Sequence, residues 1–146
     1  LLFQASIGTA YCDLVNFDAN RIVETEGVYI YSDKRQKTGV PFTAVILPLG
    51  LKILEKYDGR LPIISNQKYN TYLKEIQRLA RIETVITSHL LRKTYAHTLL
   101  NNGVNISVVA KCLGHTNTII TQRTYARPTD TFVASEVGKM IKHFEL

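Results

Sequence analysis

The sequence predicts a mainly α fold with a small antiparallel β-sheet (α+β), and three observations predict it. First, two stretches rich in β-branched and aromatic residues, Gly27-Val-Tyr-Ile-Tyr-Ser32 and Gly39-Val-Pro-Phe-Thr-Ala-Val-Ile-Leu47, flank the polar, basic turn Asp33-Lys-Arg-Gln-Lys-Thr38. That pattern signals a hairpin. Second, beyond Pro48 apolar residues recur at helical spacing between polar caps and glycine stops. Third, 146 residues that are 45% hydrophobic and 21% charged suffice for one domain with its own core.

The elements follow in order. Residues 1–17 read as helical with a break near Gly8, and Arg21–Glu24 offers a third strand beside the hairpin. Pro41 lacks a ladder donor, so the second long strand is expected at an edge or to start late. Pro48 opens a helix lined by Leu51, Ile53 and Leu54 up to Tyr57. Ser65 or Asn66 caps the next, where Tyr69, Tyr72, Leu73, Ile76, Leu79 and Ala80 recur on one stripe. Thr87 or Ser88 caps a third that ends at Gly103, and Asn105 caps a fourth, Ile106 to Leu113, closed by Gly114. A fifth, capped by Thr116 or Asn117, carries Tyr125 and stops before Pro128. A last helix from about Thr131 places Val133, Val137, Met140, Ile141 and Phe144 together, a tail spanning 130–146.

Charge narrows the partners. Eighteen Lys+Arg against twelve Asp+Glu give a net charge of +6, which suits a polyanion but is weak alone. Arg35, Lys93, Lys111, Arg123 and Arg127 are candidate phosphate contacts. No apolar run reaches the roughly 18 residues of a membrane span. Cys12 and Cys112 match no metal spacing, so reduced thiols and a cytoplasmic location are expected. The opening Leu1-Leu-Phe-Gln-Ala-Ser-Ile-Gly8 looks like a buried helix without an initiator Met, which suggests a single domain, 1–146, excised from a longer protein.

Four signals carry chemistry: Lys37 at the hairpin tip, His89-Leu-Leu-Arg92, Leu113-Gly-His115, and Tyr125. His89 and Arg92, three apart, share a helix face, and the free N–H groups of a helix start suit a phosphate. Singly, each has a plain explanation: a solvated lysine, a surface pair, a turn histidine, a packed tyrosine. In this order and spacing they are specific.

The stretch from His89 to Tyr125 resembles the catalytic core of the tyrosine recombinases, the phage and mobile-element integrase family. Arg35-Gln-Lys37-Thr38, Ile46-Leu-Pro-Leu49 and Ser65-Asn-Gln-Lys-Tyr-Asn-Thr-Tyr-Leu-Lys-Glu-Ile76 extend it, the last being similar to integrases of conjugative transposons. The resemblance implies a DNA breaking-rejoining catalytic-domain fold and site-specific recombination of double-stranded DNA without a metal or other cofactor. It implies that Tyr125 attacks the scissile phosphate, Arg92 clamps its oxygens, Lys37 protonates the departing 5′-oxygen, and His89 and His115 hydrogen-bond the phosphate. It also implies N-terminal DNA-clamping domains beyond this chain and a tail that joins protomers in a tetramer on DNA.

Two departures stand out. The family opens its catalytic domain with Thr-Gly-Leu-Arg, the arginine being a second clamp; here the stretch is Ile7-Gly8-Thr9-Ala10, with Asp13 in the acidic place that follows. Either another cation (Arg35, Lys34 or Arg21) reaches in, or the domain is slow or inert. The family also counts nine residues from histidine to tyrosine, whereas His115 to Tyr125 is ten. One residue turns a helical side chain by about 100°, so the extra one is expected in the loop at Asn117-Thr118. A DNA-binding module without chemistry and a relaxing topoisomerase-like enzyme are the competing expectations.

Overall fold

A hairpin-based sheet and two groups of helices make up the chain in the computed structural model, which describes residues 1–125 and 130–142. The order is α1 (Leu2–Ile7), α2 (Tyr11–Leu14), a 3-10 turn (Ala19–Arg21), β1 (Ile22–Thr25), β2 (Val28–Lys34), β3 (Pro41–Val45), α3 (Pro48–Lys56), α4 (Asn66–Leu79), α5 (Ser88–Asn101), α6 (Ile106–Leu113), α7 (Thr118–Tyr125) and α8 (Asp130–Lys142).

The sheet is antiparallel in the order β1-β2-β3. Its register pairs Ile22 with Tyr31 and Thr25 with Val28 on one side of β2, and Ile30 with Val45 and Lys34 with Pro41 on the other. Pro41 therefore begins an edge strand, where a missing N–H costs no interior ladder bond.

Helix ends obey local chemistry. The side chains of Ser65, Thr87 and Asn105 accept from Lys68, Leu90 and Ser107 N–H groups, capping α4, α5 and α6. Asn117 accepts from the Ile120 N–H at 3.3 Å and caps α7. Gly8 and Gly114 close α1 and α6 in the left-handed region, at φ 73 and φ 62.

Three apolar clusters hold these pieces. Phe3, Ile7 and Leu14 pack with Tyr31, Phe42, Ala44, Ile46 and Leu54 between the sheet, α1 and α3. Tyr95, Ala96, Leu99, Val109, Cys112, Leu113 and Tyr125 join α5, α6 and α7. Tyr69, Leu73 and Leu91 join α4 to α5. Helix α1 touches α5 and α3, and α6 touches β3 and α7, so the sheet and the helical group meet across α1 and α6.

The α4 stripe is narrower than its periodicity suggests. Tyr69 and Leu73 are buried, whereas Tyr72 (55% exposed) and Leu79 (68%) face outward. A helix edge-on to its neighbours covers only part of an apolar arc. On α8, Val133, Val137, Met140 and Ile141 are exposed, and Phe144 lies outside the described residues.

Candidate active site

The buried face of α5 carries Leu91, Arg92, Tyr95, Ala96 and Leu99. Arg92 is the odd member, a cation only 4% exposed. Buried charge is tolerated only when its donors are taken up. Arg92 Nη1 donates to the Gly8 carbonyl at 2.9 Å, and Nη2 donates to the Leu113 carbonyl. The Tyr125 hydroxyl lies near enough to favour the charged guanidinium. Burial, followed by the charge of Arg35, pushes its pKa down to about 10, which leaves it charged at neutral pH. Gly8 makes this approach possible: a Cβ there would lie 2.2 Å from the Tyr95 ring.

Arg35 enters from the other side. It lies just past β2, where its carbonyl accepts from Gly39 N–H at 2.8 Å and closes the turn. Its Nη1 donates to the Leu113 carbonyl at 2.8 Å, the same oxygen that Arg92 uses. Its Nε lies 2.7 Å from Asp13 Oδ2, an ion pair whose angle falls outside hydrogen-bond geometry. Asp13 Oδ1 accepts from Gln36 N–H at 2.8 Å, so one buried carboxylate holds both the arginine and the backbone of its turn. Gly114 gives the guanidinium its path, since a Cβ there would meet Arg35 Cγ at 2.8 Å and Cδ at 3.1 Å.

His115 and Tyr125 complete the floor. Their rings lie near-parallel, 9° apart with centroids 6.2 Å apart. His115 Nδ1 is 2.8 Å from the fully buried Thr121 hydroxyl. Burial, then the charges of Arg92, Arg35 and His89, pushes the His115 pKa down to about 4, so the ring is neutral at pH 7. Tyr125 is 3% exposed; burial raises its pKa, and Arg92 and Arg35 partly oppose that. Although they are ten positions apart in sequence, the histidine and tyrosine still face each other, because α7 starts only at Thr118.

His89, in the first turn of α5, is lowered by its burial and then by Lys93 and Arg92. Arg92, His115 and Tyr125 are thus brought together, and the charge of His89 bears on His115. Lys37 is exposed in the β2–β3 turn two residues beyond Arg35, and no contact joins it to that group among the described residues. Lys111 and Arg123 are exposed, Lys93 is half-buried, and Arg127 lies outside the described residues. Arg35, expected as a phosphate contact and as one candidate for the missing clamp, has a side chain only 14% exposed.

One neighbour escaped the sequence reading. The His97 ring stands edge-on to Tyr125, centroids 5.8 Å apart at 85°. Its offset of five from Arg92 gives no shared helical face, so spacing carried no signal. Among the described residues no group of three or more His, Cys, Asp or Glu could hold a metal ion, and no helix is long and apolar enough to cross a membrane. The apolar hollow of about 360 Å³ beside Phe3, Tyr11, Leu14, Tyr57, Leu61 and Tyr69 shares no residue with the cluster.

A hairpin sheet thus meets a helical group, with two arginines and a tyrosine at the joint between them. The sequence model of the phage integrase family matches residues 20–131, and the chain belongs to that family. It is 33% identical over 85 residues to a tyrosine recombinase of Thermosipho africanus, covering 53% of this chain and 30% of that one. It is 32% identical over 79 residues to transposase A of transposon Tn554 from Staphylococcus aureus, covering 53% and 22%. The crystal structure of XerA recombinase superposes with a TM-score of 0.70 at 20% identity, over 93% of this chain and 54% of that one. The Tn1549 transposon integrase in complex with a circular intermediate DNA gives 0.67 at 15% identity, over 94% and 56%. The matched stretches span less than a third of the two sequence relatives and little more than half of the two structures.

Proposed function

We propose that this chain is the catalytic domain of a site-specific DNA recombinase that cuts and rejoins strands through Tyr125. The single observation carrying the reading is the meeting of Arg92, His115 and Tyr125, from three helices, around one buried corner of high positive charge.

The chemistry follows from those groups. The Tyr125 oxygen attacks the scissile phosphorus, the bond to the 5′-oxygen breaks, and that oxygen leaves with the electron pair and takes a proton from Lys37. The products are a 3′-phosphotyrosyl link and a free 5′-hydroxyl. Ionising a phenol of pKa ~10 at pH 7 costs about 4 kcal/mol, and burial adds to it. The Arg92 guanidinium at the phenol offsets part of this and offers a planar fork to the phosphate oxygens. In the tautomer whose Nδ1 accepts from Thr121, neutral His115 carries its proton on Nε2, where it donates to a phosphate oxygen. His89, whose charge bears on His115, is assigned as a second donor to the phosphate and a route for the phenolic proton. Because the aryl phosphate ester conserves the bond, another strand's 5′-hydroxyl can reverse the attack; hydrolysis would not allow rejoining.

The exposed apolar stripe Val133, Val137, Met140 and Ile141 supports docking of α8 on a second copy, as a tetramer on DNA requires. Size-exclusion chromatography with DNA, with and without residues 130–146, tests this; an identical monomer in both cases removes it.

The reaction is tested with short duplexes of randomised sequence, nicked so that the cut fragment diffuses away. A covalent protein–DNA adduct on a denaturing gel, absent in Tyr125→Phe, is expected. Intact DNA binding with no adduct at any concentration supports the alternative, a recombinase-derived binding module, which Ala10 favours. Adducts that relax supercoils but never join two duplexes indicate a topoisomerase-like enzyme.

A further inference from the structure

We propose that Arg35 is a second phosphate-clamping residue, delivered from the hairpin to do what the side chain at Ala10 cannot. The assignment rests on the phosphotyrosyl reading above and goes beyond it by naming where the missing cation comes from.

Three observations carry it. Arg35 and Arg92 converge on one carbonyl oxygen, that of Leu113, so their guanidinium groups lie side by side. Only one carboxylate, Asp13, pairs with either of them among the described residues. Two like charges held together in a mostly buried corner with one counter-charge leave a positive surplus that an anion would relieve. Arg35 also retains donors for that anion: of its five N–H groups, Nε faces Asp13 and one on Nη1 serves Leu113.

The alternatives lie outside this corner. Arg21 Nη1 lies 2.8 Å from Asp33 Oδ2 and its guanidinium sits over the Tyr31 ring. Lys34 ends β2 with an exposed side chain. Arg35 alone of the three is built into the corner, with Asp13 as its seat and Gly114 as its doorway. In the family pattern an arginine and the acid after it share one helical segment. Here the acid stays at Asp13, and the arginine that it orients arrives from 22 residues downstream.

The test compares two scissile linkages on the nicked duplex recovered by adduct formation: the ordinary phosphodiester, and a methylphosphonate in which a methyl group replaces one non-bridging oxygen. The methylphosphonate is neutral, so a clamp that answers phosphate charge becomes dispensable. Arg35→Ala leaves Asp13 buried without its partner, so Asp13→Asn/Arg35→Ala is measured beside it, with melting to show that both fold. The expected result is adduct formation at least ~10²-fold slower than wild type on the phosphodiester, collapsing to within a few-fold on the methylphosphonate. An equal loss on both linkages makes Arg35 a purely structural residue and overturns the proposal, as does wild-type cleavage of the phosphodiester by the variants. Wild-type protein that forms no adduct on either linkage overturns the phosphotyrosyl reading itself, an outcome distinct from both.

Discussion

The floor of the candidate site and its hairpin tip are built on opposite plans. On the floor, Arg92 is 4% exposed and Arg35 is pinned between Asp13 and the Leu113 carbonyl. At the tip, Lys37 stands in water two residues further along the same turn. Groups that bear on a phosphate from the start of the reaction gain from being fixed, because fixed donors need no reorganisation. A group that hands over one proton at the end needs only to reach the leaving oxygen, and burying a lysine would depress its pKa. The contrast teaches that stability and chemistry should separate at the tip and coincide on the floor.

The sharpest way to break this is Lys37→Ala. Cleavage should fall about 10²–10⁴-fold, the usual scale of general acid catalysis, while melting stays unchanged. Replacing the departing 5′-oxygen by sulfur, a far better leaving group, should restore the rate; persistent loss on the sulfur-linked duplex would remove Lys37 from the proton's path. Next comes Arg92→Lys, which keeps charge but loses the fork. Cleavage should drop about 10²–10³-fold. Unlike the tip variant, this one should also melt earlier, by about 1–3 kcal/mol, because the Gly8 and Leu113 carbonyls lose donors. Gly8→Ala should be felt mainly as instability, on the order of 3 kcal/mol, from a left-handed φ of 73 and a Cβ driven into the Tyr95 ring. Urea unfolding reads both.

Acid gives a smaller, diagnostic effect. The His115 pKa is depressed to about 4 from an ordinary 6.5, so between those values the unfolded chain binds more protons than the folded one. Its contribution is whole above pH 6.5 and is lost as pH falls towards 4; His89 shifts in the same direction. Stability should therefore rise with pH across this window, and His115→Asn should flatten the slope. Smallest of all, Ala at Lys93, Lys111 or Arg123 should each lower the salt slope of DNA binding by about one, with cleavage at saturating DNA unchanged.

Legibility in the sequence followed the range of the interaction. Ser65, Thr87, Asn105 and Gly114 act on neighbours within a turn; the sequence placed Asn105 and Gly114 outright and narrowed the other two caps to Ser65 or Asn66 and Thr87 or Ser88. The hairpin and its edge strand were readable from alternation and from Pro41. Periodicity around Tyr72 and Leu79 located a helix but could not say how much of its arc a neighbour covers. The arginine corner was half readable: Arg92, His115 and Tyr125 stand in a known order, whereas the burial of Arg35 depends on Asp13 and Gly114, which lie 22 and 79 positions away. His97 was invisible for the same reason, because its partner is a ring on another helix.

The Leu113 carbonyl marks where α6 stops, and α7, with its tyrosine, starts five positions later. Both guanidinium groups hang from that oxygen, so one carbonyl is a common pivot for the two arginines and the helix that carries Tyr125. A displacement of about one ångström there would carry both bonds beyond the ordinary 2.7–3.2 Å range together. Anything that tugs on the far end of α7 thereby acts on a single mechanical fuse that holds both arginines and the tyrosine's helix.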